Sequence, residues 1–281
     1  MSNTVKWLLI VLGGLVAAWA LAAGLGLWRF GAETRQAQER LIQLAAPPQA
    51  DASRLARLPP MVRRYLERAL PYPLPPLRLA RVEMRGSLRG RPGQAWRKFT
   101  AQQVWSLSPP GFVWSARVRL FPLVWLEVRD LLRNRRGSLA AMLWGWLPLA
   151  GADGPPELGL GALQRWLAEA VIFPPALLPG PHLKWEAAGD NSAWAVLTGP
   201  GLELGGVFIF GPDGLPQRFE TPGRQRQMPD GSFEPFPWVV RYRDWRKARG
   251  FLVPHQAEVA WVLEGEEFVC LRLEWSKVRF E

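Results

Sequence analysis

The longest uninterrupted apolar run, Trp7 to Trp28, holds 22 consecutive residues without charge. As a helix it would be roughly 33 Å long, enough for a hydrocarbon core of about 30 Å. Trp7 and Trp28 stand at its ends, where indole rings favour the membrane interface, and Lys6 and Arg29 flank them. A cleaved signal peptide is the rival reading, since Ala18-Trp19-Ala20 and Ala20-Leu21-Ala22 offer small-residue cleavage patterns. The apolar region of a signal peptide usually runs only about 7–15 residues. The pattern therefore predicts a single-pass transmembrane anchor over 1–28. Residues 29 to 46 read as a helix continuing out of the membrane, polar and charged on most sides, and Pro47-Pro48 ends it. With the linker that follows, 29–52 forms a helical stalk and linker.

Pro59-Pro60 opens a helix near 59–70. Val62, Leu66 and Leu70 share one face of it, and Arg63, Arg64, Glu67 and Arg68 the other. From residue 77 the dominant period is two. Strands are predicted at 77–88 and 96–107, around the turn Arg91-Pro92-Gly93-Gln94, and at 112–120 and 123–131. In 112–120, Phe112, Trp114, Ala116, Val118 and Leu120 point one way, while Ser115, Arg117 and Arg119 point the other. Later strands are predicted at 183–188, 193–198, 202–210, 215–221, 236–245, 251–263 and 267–280. Residues 138–150, with Trp144, Trp146 and Leu147, fit either a strand or a hydrophobic flap. One segment departs from period two. Leu163, Trp166, Leu167, Ala170 and Val171 recur at helical spacing near 161–173, with Gln164, Arg165 and Glu169 off that face. The expected fold is mainly β (α+β): about ten antiparallel strands over 53–281 in a curved sheet or open half-barrel, with two short helices. The helix near 161–173 serves as plug or lid on the concave side.

Composition narrows the function classes. The chain has 281 residues, a net charge of +11, 27 Gly, 27 Pro and 16 Trp, and 30 of its 35 cations are Arg. All of that charge except Lys6 falls after the anchor. The Arg residues are spread over almost every strand face rather than gathered in one stripe, so nucleic acid is not an expected partner. A basic domain tethered at a bilayer is better explained by attraction to anionic head groups. One Cys (Cys270) excludes an internal disulfide and a Cys-based zinc site, and two His leave little room for a His-rich metal site. No metal, cofactor or catalytic residue is expected. His255 lies in phase with Phe251, Val253 and Ala257 and reads as a core histidine. Cys270 reads as a packing residue. Asp130 and Asp244 share the inward phase of their strands, and each needs an Arg partner or hydrogen bonds to stay ionised there.

The aromatic residues are the most suggestive feature. Phe112, Trp114, Trp238, Tyr242, Phe251 and Trp261 fall on inward faces. They are the candidate lining of an apolar cavity, with an ordinary packed core as the alternative.

Three stretches, Leu58-Pro59-Pro60-Met61-Val62-Arg63-Arg64-Tyr65-Leu66, Pro109-Pro110-Gly111-Phe112-Val113-Trp114 and Leu167-Ala168-Glu169-Ala170-Val171-Ile172-Phe173-Pro174, resemble an uncharacterised bacterial family of unknown function. The resemblance covers 55–281 and brings no activity or catalytic residues with it. At the level of fold the chain is similar to lipoprotein-carrier and periplasmic lipid-binding half-barrels. That likeness implies an extracytoplasmic domain, against the cations Arg29, Arg35 and Arg40 that follow the span. The expected function is a membrane-anchored protein whose β domain binds a hydrophobic ligand, a lipid or acyl chain, at the membrane surface. A non-enzymatic structural protein docking an envelope protein partner is the alternative. A hydrolase acting on a lipid-like substrate is a further one.

Overall fold

In the computed structural model, residues 2–47 and 55–281 are described. The linker expected after the stalk falls largely on 48–54, outside the described residues. Helix α1 (Asn3–Leu44) runs unbroken through the apolar segment and the stalk. It is long and apolar enough to cross a membrane, and its most apolar stretch is almost wholly exposed. Helix α2 (Pro60–Ala69) starts at the proline predicted to open it. It buries Met61, Val62, Tyr65, Leu66 and Ala69.

Thirteen strands form one open antiparallel sheet. In chain order they are β1 (Leu79–Leu88), β2 (Arg97–Ser106), β3 (Gly111–Phe121), β4 (Val124–Arg133), β5 (Arg136–Leu143) and β6 (Leu147–Asp153), then β7 (Leu183–Gly189), β8 (Ser192–Gly199), β9 (Leu202–Phe210), β10 (Pro216–Gln227), β11 (Phe233–Ala248), β12 (Phe251–Leu263) and β13 (Glu266–Phe280). The spatial order is β6-β5-β4-β3-β2-β1-β13-β12-β11-β10-β9-β8-β7. Each half is a meander of hairpins, and β1 joins β13 at the centre, with Ala80 opposite Phe280. The ambiguous segment 138–150 is a strand pair: β5 and β6, joined by a turn at Trp144-Gly145-Trp146.

The chain between the edge strands β6 and β7 carries helix α3 (Pro156–Glu169) and two short 3-10 turns, Ala170–Ile172 and Pro174–Leu177. It crosses the concave side as the plug. The helix starts five residues before the predicted boundary. Two Gly in Pro156-Glu157-Leu158-Gly159-Leu160-Gly161 weaken the apolar period there, and Pro at the first helical position starts the helix regardless. Its end is earlier too, because Ala170–Ile172 tightens into a 3-10 turn before Pro174-Pro175.

The sheet uses both faces. Phe112, Trp114, Ala116 and Val118 of β3 point into the concave core with α2 and α3. Val104 of β2 and Val113 of β3 point outward and meet Leu41 and Ala45 at the end of α1. The stalk is therefore less polar in its setting than its composition indicates. Phe30, Thr34 and Leu41 are buried on the back of the sheet. Arg129 of β4 lies 5.1 Å over the Phe30 ring and 3.2 Å from Glu33. Hydrogen bonds from Arg29, with those of Arg129, outweigh burial and hold the Glu33 carboxyl below its usual range. The stalk ends where Ala46 bridges Ser108 in the β2–β3 turn.

The register places the turns β1–β2, β3–β4, β5–β6, β8–β9, β10–β11 and β12–β13 at one end of the half-barrel. This hairpin end lies beside the apolar part of α1, with Trp19 and Trp144 packed edge to face at 5.1 Å.

A candidate ligand site on the concave face

Side chains on α3 and the facing strands build the interior polar centre. Arg165 donates to Asp130 Oδ2 of β4 at 2.6 Å and to Glu169 Oε1 at 2.8 Å. Glu169 also accepts from Gln103 Nε2 at 2.7 Å, and Gln164 Nε2 donates to Thr221 Oγ1 at 2.8 Å. Gln164, Arg165 and Glu169 lie off the apolar face of the helix, yet they too are enclosed, because a helix inside a curved sheet is contacted around most of its circumference. Asp130 thereby finds the Arg partner its inward phase requires. Burial opposes the Arg165 charge, but Glu169 and Asp130 more than offset it and hold the guanidinium above its usual range.

Asp244 does not share the inward phase. It adopts φ 60° in β11, while the register against β12 runs on unbroken, with Tyr242 facing Ala257 and Trp245 facing Pro254. Trp245 packs on Tyr65, and Asp244 pairs with Arg246 at 2.6 Å.

The six candidate aromatic residues do not form one cluster. Phe112 and Trp114 lie under the Arg165 guanidinium, at 4.7 and 5.2 Å. Tyr242 donates to the Ala168 carbonyl at 2.7 Å, and Phe251 packs on Phe280 at 4.6 Å. Those four are buried where the helices fill the concavity. Trp238, which is buried as well, and the partly buried Trp261 sit 6.4 Å apart nearer the hairpin end. There the apolar lining opens, and Leu88, Leu126, Trp261 and Leu271 are only partly buried.

A second arginine stands at this opening. The Arg224 guanidinium lies 4.5 Å over Trp238 and 5.1 Å over Trp261, and its Nε donates to the Gly161 carbonyl of α3 at 3.0 Å. Arg226 lies 5.8 Å from the Trp261 ring. Neither arginine forms an ion pair with a carboxylate among the described residues. Burial, with repulsion from Arg165, lowers the Arg224 guanidinium to about 10. The alternation of β10 fails at a register shift between Thr221 and Arg224, so period two from Phe219 does not place Arg224. Pro222-Gly223 was the sequence signal for that shift.

Cys270 is partly buried beside the same opening, and burial pushes its thiol up to about 11. His255 is half-buried and makes no hydrogen bond to a described residue. No group of three or more His, Cys, Asp or Glu among the described residues is placed to hold a metal ion.

The fold is similar to a LolA-superfamily protein from Nitrosomonas europaea, with 12% identity and a TM-score of 0.41 over 79% of this chain and 92% of that one. It is similar to a DUF1329 family protein from Desulfovibrio piger, with 13% identity and a TM-score of 0.31 over 73% and 86%. A β-barrel-like protein of domain of unknown function DUF1849 from Brucella abortus is a third neighbour, at 10% identity and a TM-score of 0.23 over 73% and 98%. At such identities the likeness concerns fold alone. No curated protein matches the chain. Residues 48–273 match the family described as a family of unknown function, DUF6544, and the chain belongs to that family.

Proposed function

We propose that this chain is a single-pass, membrane-anchored protein whose half-barrel binds an anionic amphiphile, an acyl chain carrying a carboxylate or phosphate. The observation that carries the reading is Arg224. A guanidinium packed on two indoles, with burial and Arg165 working against its charge, no ion-paired carboxylate, and only the field of Asp130 and Glu169 in its favour, is matched by a ligand that brings its own anion. Trp238 and Trp261 beside it, with Leu88 and Leu271 farther across the same end of the concave face, suit the acyl part. The opening lies at the hairpin end, the same end that meets α1, so a lipid leaving the bilayer has a short path to it. Phe112, Trp114, Tyr242 and Phe251 extend the apolar interior behind Arg224, under α3. In this proposal α3 shifts to admit the chain.

In this proposal the β domain lies on the extracytoplasmic side. A reporter joined after Glu281 that is active only in the cytoplasm reverses that placement.

Native mass spectrometry of the detergent-extracted full chain tests the ligand. The expected result is a stoichiometric anionic lipid on the wild type that is lost from Arg224→Gln. Equal occupancy in both, or none in the wild type, defeats the proposal. One specific observation favours a second reading, the envelope interaction protein: the helices fill most of the concave face, and Phe112 and Phe251 are fully buried. That reading expects no bound lipid and a co-purifying protein partner.

A further inference from the structure

We infer that the tips of the β3–β4 and β5–β6 hairpins seat in the bilayer leaflet beside α1, making the β domain a membrane-embedded body rather than one held on a free tether. The inference rests on reading α1 as an anchor.

The argument begins with lengths. The uncharged run of α1 ends at Trp28, and its length matches a hydrocarbon core with little to spare. The β5–β6 tip touches this run from within. Trp144 packs against Trp19, which lies roughly 13 Å along the helix before Trp28. Gly145 packs against Leu27. At Gly26 and at Gly145 the backbones approach so closely that a side chain at either position would overlap the other segment. A bilayer that covers Trp7–Trp28 therefore also covers the tip of this hairpin.

The tip surfaces have the matching chemistry. Phe121 is 60% exposed, Leu123 83%, Trp146 42% and Leu149 55%. Scattered single exposed apolar residues are ordinary, but these gather at two adjacent turns next to an exposed apolar helix. The turns are also held in unfavourable backbone geometry. Leu123 has φ 63° and Trp144 φ 51°, the left-handed region that bulky side chains avoid. Trp144 Nε1 donates to the Leu123 carbonyl at 2.9 Å, which ties the two tips together. Strain of this kind persists where surrounding contacts fix it, and here it presents two large apolar side chains at the end of the domain.

Cations stand directly behind the tips. Arg97 lies 4.9 Å over the Phe121 ring and Arg117 5.5 Å over Trp125. A groove of about 1230 Å³ runs from Phe121 and Leu123 over the outer face of the sheet. It is lined by Arg85, Lys98, Arg117, Arg119, Arg243 and Arg272, against Glu258 and Glu274. An apolar tip with a basic collar is the arrangement that places hydrocarbon in the leaflet and cations at anionic head groups.

Site-specific fluorescence tests this on the full chain in nanodiscs of phosphatidylcholine with about 30% phosphatidylglycerol. In a Cys270→Ser background, single cysteines are introduced as Leu123→Cys, Trp146→Cys, Leu15→Cys and Asp190→Cys and labelled with an environment-sensitive dye. Leu15 reports the middle of α1, and Asp190, in the β7–β8 turn, the far end of the domain. The expected result is blue-shifted emission and several-fold stronger quenching by lipid-borne nitroxides at Leu123 and Trp146 than at Asp190. Tips that respond like Asp190 while Leu15 is quenched overturn the inference and leave the anchor standing. A Leu15 label that lipid nitroxides do not quench overturns both.

Discussion

Replacing Arg165 with Met leaves the apolar stem of the side chain and removes the charge between Asp130 and Glu169. In the wild type the guanidinium bridges the two carboxylates at 2.6 and 2.8 Å, with all three side chains less than one-fifth exposed. Without it, two enclosed carboxylates face each other with only Gln103 donating to Glu169. Breaking a buried pair from one side costs about 3–5 kcal/mol, because the charge left behind is uncompensated. Loss of the stacking on Phe112 and Trp114 adds about 1 kcal/mol. For a domain of about 150–250 residues each kcal/mol shifts Tm by about 2–4 °C, so Arg165→Met should melt about 8–24 °C lower. The assay is thermal unfolding of the full chain in detergent, followed by tryptophan fluorescence. The decisive comparison is the triple variant D130N/R165M/E169Q, which removes all three charges while the amide introduced at position 169 keeps an acceptor for Gln103. It should recover most of the loss, since a neutral replacement for a buried ion cluster is often close to neutral in stability. A single variant within about 1 °C of wild type, or a triple variant no better than the single, would refute the account of α3 as a plug held by an ionic centre.

Three further outcomes are expected. Trp166 stacks on Trp105 at 4.7 Å and donates to the Ser106 carbonyl at 2.9 Å, so Trp166→Ala should cost about 3–5 kcal/mol in urea unfolding; a loss below about 1 kcal/mol contradicts the packing of α3 on β2. The Cys270 thiol, raised to about 11, should hold on the order of 100-fold less thiolate than a free cysteine at pH 8. Iodoacetamide should therefore modify Cys270 only after unfolding, and labelling of the native chain at the rate of a free thiol would sink that expectation. The hydrogen bond from Arg241, with the nearby Arg218 charge, holds the Glu267 carboxyl below its usual range. A depressed folded value means stability present above the unfolded pKa of about 4.3 and lost as pH falls through the folded value. The wild type should thus exceed Glu267→Gln in stability at neutral pH and converge with it in acid; a pH-independent difference speaks against that ion pair.

Period two in β1–β4 and β11–β13 was legible because each strand buries one face over most of its length, so alternation there follows the sheet directly. The long apolar helix and the proline-led start of α2 were legible for equally local reasons. What escaped depends on distant partners. The polar stripe of α3 reads as a solvated face until the sheet is seen to enclose it. The outward Val104 and Val113 gain meaning only when Leu41 of the stalk docks on them. Arg224 follows a register shift and Asp244 stands in left-handed backbone, so the facing of neither could be extrapolated from its strand. Of the candidate site, the sequence marked the aromatic walls Trp238 and Trp261 but missed Arg224 between them.

The central claim is that a lipid occupies the concave face at Arg224. Photo-crosslinking of the full chain with a diazirine-bearing fatty acid, followed by peptide mapping, tests it most directly. The account predicts label on the segments carrying Arg224, Trp238 and Trp261 and on the inner side of α3, with that label reduced in Arg224→Gln. Label confined to α1 and the two hairpin tips, unchanged by that substitution, would contradict it.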